Sequence, residues 1–295
     1  MQTLTQIRQM LEDAGLAPNR QLGQCFLIDQ NLMGKVLAAA DVAADRTVLE
    51  VGPGTGALTE ELLDRAARVV AVELDAGLFK LLTARLGGRA NLTLIHADAL
   101  ASKHALNAQM LAALGGPADL AANLPYNVAT PLVIECLLES WRAMHEGRPG
   151  GFGRLTFTVQ REVADRFVAP AGGESYGPVS IVTALLGAVR LAGDLPATAF
   201  WPAPKVASRI VRIDFDPARA GAVADVAVLT AAVGMAFAAR RKQIGSIRRR
   251  KDSGFAPEVL EAALDAAGIE HARRAEDVPP EQFRRFANFL AGAKR

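Results

Sequence analysis

"TVLEVGPGTGALTEELLDRA", Thr47 to Ala66, sets a strand, a glycine turn and a helix end to end. Thr47 to Val51 is a short aliphatic run of strand character, and Ala57 to Ala66 is a helical pattern. Gly52, Gly54 and Gly56 lie between them. Glycines at such a junction let the backbone approach a ligand, and the helix start offers unpaired N–H groups. A plain strand-to-helix turn is one alternative. A dinucleotide site is another, although the spacing is GxGxG where that site expects GxGxxG.

The same alternation continues outward. "RVVAVEL" is a strand followed by the helix "AGLFKLLTARL"; "NLTLIHAD" is a third strand; "ADLAANLPY" is a fourth, with "TPLVIECLLESW" as its helix. "GRLTFTVQREVADRF" reads as a fifth strand running into a helix. Upstream, Leu4, Ile7, Met10 and Leu11 mark an amphipathic helix, and Asp29 stands where it caps a helix from Gln30. Strands separated by helices predict an α/β fold: a doubly wound, Rossmann-like parallel sheet with right-handed connections. "VRLAGDLPATAFWPAPKVASRIVRIDF" reads as two β-segments around a proline-rich loop, closing the sheet with a hairpin. Beyond Pro217 only helical patterns remain. The expected division is an α/β domain over 1–214 and a small all-helical domain over 215–295.

The chain has 295 residues and a formal net charge of +2, so charge balance alone does not announce a nucleic-acid partner. Cys25 and Cys136 make neither a CxxC metal site nor a disulfide framework, and the four histidines have no HExxH spacing. No metal is expected. The N-terminal stretch breaks its apolar residues with charges, unlike a signal peptide, and no run approaches the ~18 apolar residues of a membrane span. A cytoplasmic protein is the expectation.

Two acids follow the glycine loop. Glu73 ends the second strand, where a carboxylate takes both hydroxyls of a ribose, and Asp98 ends the third, where it accepts from an adenine amino group. Either alone could cap a helix; together they describe a pocket for an adenosine-bearing cofactor. "ANLPYN", Ala122 to Asn127, then sets an amide, a proline and a tyrosine on a corner after the fourth strand. A simple turn with Tyr126 in the core is the plain alternative.

"VLEVGPGTGALT", "VAVELD", "IHADAL" and "NLPYN" occur in the order found in adenosylmethionine-dependent methyltransferases. With "QCFLID" upstream and "FTVQREVADR", "FWPAPKVASRIVRI", "FAARRKQI" and "RRAEDVPPEQF" downstream, the chain resembles the ribosomal RNA adenine N6-methyltransferase family over almost its whole length. The similarity is greatest to the branch that dimethylates small-subunit RNA. The resemblance implies S-adenosyl-L-methionine as cofactor, and methyl transfer to two adjacent adenosines near the 3′ end of that RNA, giving N6,N6-dimethyladenosine. The implied partner is small-subunit ribosomal RNA or its precursor particle, with no membrane, and the protein is expected to act as a monomer. It further implies that Cys25, Leu27, Gly52, Gly54, Glu73, Asp98 and Asn123 line the cofactor. Three departures stand out: the family usually has Asn where Cys25 stands and Asp where Ala207 stands, and "QIGSIRRRK" lacks its usual Asn-Ser pair.

The adenine N6 nitrogen is a poor nucleophile because its lone pair is delocalised into the ring. The Asn123 side-chain oxygen and the Leu124 carbonyl are expected to accept its hydrogens and draw it toward tetrahedral geometry, with Pro125 fixing the corner. Tyr126 offers a stacking face, and Phe200 is expected to cover the other side of the base. Residues 240–251 hold seven Lys/Arg and no acid. Arg240, Arg241, Lys242, Arg248, Arg249 and Arg250, with Arg161 and Lys205, are the expected phosphate contacts. A solvated charged face is the plain alternative. Three other functions stay open: a non-catalytic assembly or transcription factor on this fold, a large-subunit RNA methyltransferase, and, further off, a DNA adenine methyltransferase.

Overall fold

Short aliphatic strands, the central ones buried on both faces, build the core of the first unit. Strands β1 (Thr47–Val51), β2 (Arg68–Glu73), β3 (Leu92–His96), β4 (Ala118–Asn123), β5 (Phe152–Gln160), β6 (Gly187–Leu195) and β7 (Ser208–Phe215) form one seven-stranded sheet in the order β3-β2-β1-β4-β5-β7-β6. This computed structural model describes residues 2–19, 21–125, 128–250 and 253–293. Pairings β3·β2, β2·β1, β1·β4 and β4·β5 are parallel, and β5·β7 is antiparallel. The expected sheet is present, and the two β-segments around the proline-rich loop are β6 and β7, neighbours at its far edge. Order runs outward in both directions from β1 and β4, so a topological switch point lies between them.

Local signals account for the helices. Asp29 caps the helix Gln30–Ala40 by accepting from the Leu32 amide at 3.0 Å, as the sequence predicts. Thr3 and Gln6 form a capping box at the start of Leu4–Asp13. Asp75 caps Ala76–Leu86 by accepting from the Gly77 and Leu78 amides. The helix Ala57–Leu63 has Gly56 at its N-cap, in the left-handed region. Two short ladders were not foreseen: Leu100–Ser102 with Ala105–Leu106, and Phe26–Leu27 antiparallel with Phe200–Trp201. The second joins "QCFL" to the proline-rich loop. Among the described residues no helix is long and apolar enough to cross a membrane.

The chain divides into two units, Met1–Ala164 with Arg190–Asp214, and Asp165–Val189 with Phe215–Arg295. A single cut after residue 214 therefore needs correcting, because 165–189 sorts with the C-terminal helices. The helix Pro178–Leu186 explains this. It buries Ile181, Val182, Leu185 and Leu186 and packs against the helices Val226–Phe237 and Pro280–Ala293. In the same unit Tyr176 is 2% exposed, and its hydroxyl donates to the Val278 carbonyl at 2.8 Å.

In the first unit, Ser140 joins the helix Ala129–Glu146 to the start of β5. Its buried hydroxyl oxygen accepts from the Phe152 amide at 2.7 Å and donates back to the Cys136 or Phe152 carbonyl. Ser140→Ala leaves a buried N–H unpaired and is expected to cost about 1–3 kcal/mol. The measurement is urea unfolding, with a lower midpoint and an unchanged slope. An unaltered midpoint would show that the bridge contributes nothing.

Candidate active site

A cavity opens in the first unit at the carboxyl ends of β1 to β4, on both sides of the switch point. It holds about 1150 Å³ of space free of protein atoms, counted with the open solvent at its mouth. Gly52, Gly54, Glu73, Asp98, Cys25, Leu27, Asn123, Leu124 and Pro125 all line it, residues drawn from five separate stretches of chain. Tyr126 lies outside the described residues.

The glycine loop carries backbone that side chains rarely adopt. Gly52 has φ +70° and Gly54 φ +62°. A Cβ on Gly54 would also fall 2.9 Å from the Phe26 ring, so glycine is required there twice over.

Glu73 binds this loop to the end of β2. Its carboxylate accepts from the Gly54 amide at 3.1 Å with one oxygen and from the Asp75 amide at 2.9 Å with the other. It is 5% exposed, and burial raises its pKa in spite of those donors. Asp98, two residues past β3, is exposed, and its side chain accepts from the Leu100 amide at 2.9 Å.

Glu50 also lines the cavity, and sequence reasoning missed it. It lies within β1 and is 1% exposed; its Oε2 has no hydrogen-bond partner among the described residues. Burial pushes its pKa up to about 8, so the carboxyl is largely protonated near neutrality. The available signal was an acid inside an aliphatic run directly before the glycines.

Asn123 ends β4 with both ends of its amide engaged. Nδ2 donates to the Cys25 carbonyl at 2.9 Å, and Oδ1 accepts from the Thr158 hydroxyl. Cys25 thus contributes through its backbone, a contact that does not depend on the asparagine usual at that position. Burial raises the pKa of its thiol.

Phe200 needs correcting. It is 3% exposed within the hydrophobic core, beside Leu27 in the short ladder, and is absent from the cavity wall. A large apolar ring is better satisfied there than facing water.

The basic residues also divide. In the second unit, Arg240 pairs with Glu276 at 2.6 Å, and Arg248 pairs with Glu261. Arg250 donates to the Met235 carbonyl at 3.3 Å. These three are held by the protein's own acceptors, contrary to the expectation that the whole run faces phosphate. Arg241, Lys242 and Arg249 are exposed, as are Arg161 and Lys205 of the first unit. Lys251 lies outside the described residues.

Residues 15–292 match the family model for ribosomal RNA adenine dimethylase. The chain is 38% identical over 282 residues to ribosomal RNA small subunit methyltransferase A of Magnetococcus marinus, covering 96% of this chain and 95% of that one. It is 39% identical over 298 residues to the protein of the same name in Paracoccus denitrificans, covering 99% and 98%. Among solved structures it is similar in fold to a dimethyladenosine transferase from Plasmodium falciparum, with TM-score 0.70 and 21% identity over 91% of this chain and 98% of that one. It is also similar to the 23S rRNA methyltransferase ErmE, with TM-score 0.60 and 27% identity over 90% and 99%.

The Glu50 carboxyl has a measurable consequence. Folded, it keeps its proton up to about pH 8; unfolded, it loses it near its ordinary value of 4.5. Between those values the folded state binds more protons, so its contribution to stability is complete below the lower pH and is lost as pH rises through the upper one. The slope from one such group is at most about 1.4 kcal/mol per pH unit. Urea unfolding from pH 5 to 8 should show wild-type stability falling, and Glu50→Gln should show a shallower fall. Parallel curves would mean that Glu50 is ionised in the folded protein.

Proposed function

The chain belongs to the ribosomal RNA adenine dimethylase family, and from that premise we propose that it methylates N6 of two adjacent adenosines near the 3′ end of small-subunit ribosomal RNA. It is an adenosylmethionine-dependent methyltransferase. The substrate is the RNA or its assembling particle, and the protein acts on it as a monomer in the cytoplasm. The observation that carries this reading is that the glycine loop, Glu73, Asp98 and Asn123 line one cavity at the switch point.

The residues of that cavity suit the cofactor. Adenosylmethionine carries hydroxyl and amino donors and net positive charge, and the wall offers Glu50, Glu73 and Asp98 as acceptors over an apolar floor that includes Leu27. In this reading Glu73 takes the ribose hydroxyls, Asp98 the adenine amino group, and Gly52 and Gly54 let the backbone approach the amino-acid portion. The unpaired Glu50 oxygen suits a cationic group, whose charge draws the carboxyl toward its ionised form. When bound, the cofactor supplies an electrophilic methyl group on a sulfonium.

The protein's contribution is alignment. Asn123 and the Leu124 carbonyl receive the N6 hydrogens, and Pro125 holds both acceptors without reorganisation. Tyr126 stacks on the base, which must leave its own stack to reach the cavity, so a loop or single-stranded RNA segment is the fitting substrate. No strong base is needed: the S–methyl bond would break as the N–methyl bond forms, leaving a neutral thioether, the cationic methylated N6 would give its proton to water, and positioning supplies much of the rate. Of the basic residues expected at the RNA, Arg241, Lys242 and Arg249, with Arg161 and Lys205, are exposed and suited to phosphate.

Incubation with labelled adenosylmethionine and undermethylated small subunits, followed by digestion to nucleosides, should yield N6,N6-dimethyladenosine. Label confined to large-subunit RNA would overturn the choice of substrate. Asn123→Ala should lower kcat by about 10²–10³-fold while cofactor affinity stays within a few-fold. Joint replacement of Arg241 and Lys242 by Ala should weaken RNA binding and reduce the slope of log K against log salt by about 1 per lost contact. An unchanged slope would remove these two residues from the interface.

A further inference from the structure

Asn123 and Thr158 stand directly opposite one another in the parallel pairing of β4 and β5. Thr158 is 1% exposed, with Ile210 of β7 as its partner on the other side. The hydrogen bonds around Asn123 fix which way its amide points. The Cys25 carbonyl can only accept, so the group facing it at 2.9 Å is the amide nitrogen. The amide oxygen is thereby turned toward Thr158, whose hydroxyl donates to it. Reversing the amide would set two carbonyl oxygens against each other, so the Cys25 carbonyl sets the sense of the amide, and the Thr158 hydroxyl anchors the oxygen that is thereby turned to it.

We propose that Thr158 is a positioning residue for methyl transfer, holding the Asn123 oxygen in the orientation that receives the substrate amine. This rests on reading Asn123 as the acceptor of the N6 hydrogens. One lone pair of Oδ1 is taken by the hydroxyl and the other is left for the substrate. The hydroxyl is rigidly held, because Thr is stiff at χ1 and is fixed here in a buried central strand. Valine at this position keeps shape and volume and loses only the donor. The amide then retains the Cys25 anchor alone, and its oxygen is free to turn away.

The test compares Thr158→Val, Thr158→Ser and Asn123→Ala by single-turnover methylation of undermethylated small subunits, calorimetric adenosylmethionine binding and urea unfolding. Thr158→Val is expected to slow turnover by roughly ten- to a hundredfold, with the cofactor Kd and the KM for RNA within about threefold of wild type. Thr158→Ser restores the hydroxyl and should recover turnover to within about threefold. Loss of turnover in Asn123→Ala with full turnover in Thr158→Val would overturn the positioning role alone. Full turnover in Asn123→Ala would overturn the reading of Asn123 on which it rests. A Thr158→Val protein that loses stability, cofactor binding and turnover together, unrescued by serine, would reduce Thr158 to packing.

Discussion

Parallel strands wound outward in two directions from a common centre leave a gap where the order reverses, because the connections on either side depart over opposite faces. Here the reversal falls between β1 and β4. The glycine loop leaves β1 at that gap, and Asn123 ends β4 beside it. The candidate residues on and after β1, β2 and β4 are placed by this constraint. Glu73 is in reach because β2 is the next strand out, and the Glu73–Gly54 hydrogen bond then fixes the loop to it. Ligand-binding geometry and sheet order are the same fact seen at two scales.

The cost of that arrangement is electrostatic. Glu50 and Glu73 are nearly inaccessible carboxyls on one cavity wall, and removing charge from water is expensive unless donors replace the lost solvent. The two meet the cost differently. Glu73 gathers backbone amides, whereas one oxygen of Glu50 has no partner among the described residues and the group keeps its proton to about pH 8. A site so furnished is incomplete by itself and complementary to a cation rich in donors. Part of the free energy of binding such a guest comes from relieving the wall, and ligand affinity and stability are linked through the same groups.

What could be read in advance was whatever depends on neighbours in the chain. The glycine spacing, the Asp29 cap, the strand runs and the acids at strand ends are local patterns, and each is found where its pattern implies. What escaped depends on partners far along the sequence. Phe200 looks like a ring in a loop until its pairing with Leu27 carries it into the core. Arg240 and Arg248 look like free cations until Glu276 and Glu261 meet them. The helix Pro178–Leu186 reads only as an apolar stretch, and its membership of the second unit follows from which helices it packs against. Glu50 was obscured by its own strand, because an isolated acid in an aliphatic run carries no direction.

Asn123 brings these strands of argument together. Under the proposed function a corner beside several carboxyls needs an acceptor for an amine, yet a further carboxylate there would add a buried like charge and raise the cost already borne by Glu50 and Glu73. An amide accepts without charge. Its weakness is that oxygen and nitrogen are nearly interchangeable in shape, so an unconstrained amide presents the wrong end as readily as the right one. A purely accepting carbonyl on one side removes that ambiguity and a hydroxyl on the other anchors the oxygen so presented, and the Cys25 backbone and Thr158 are such a pair. Neutrality at the reacting corner is therefore tied to order in two other segments of chain. On the proposed reading, the strand β5 and the segment before Phe26 belong to the chemistry of the corner as much as the corner's own residues do.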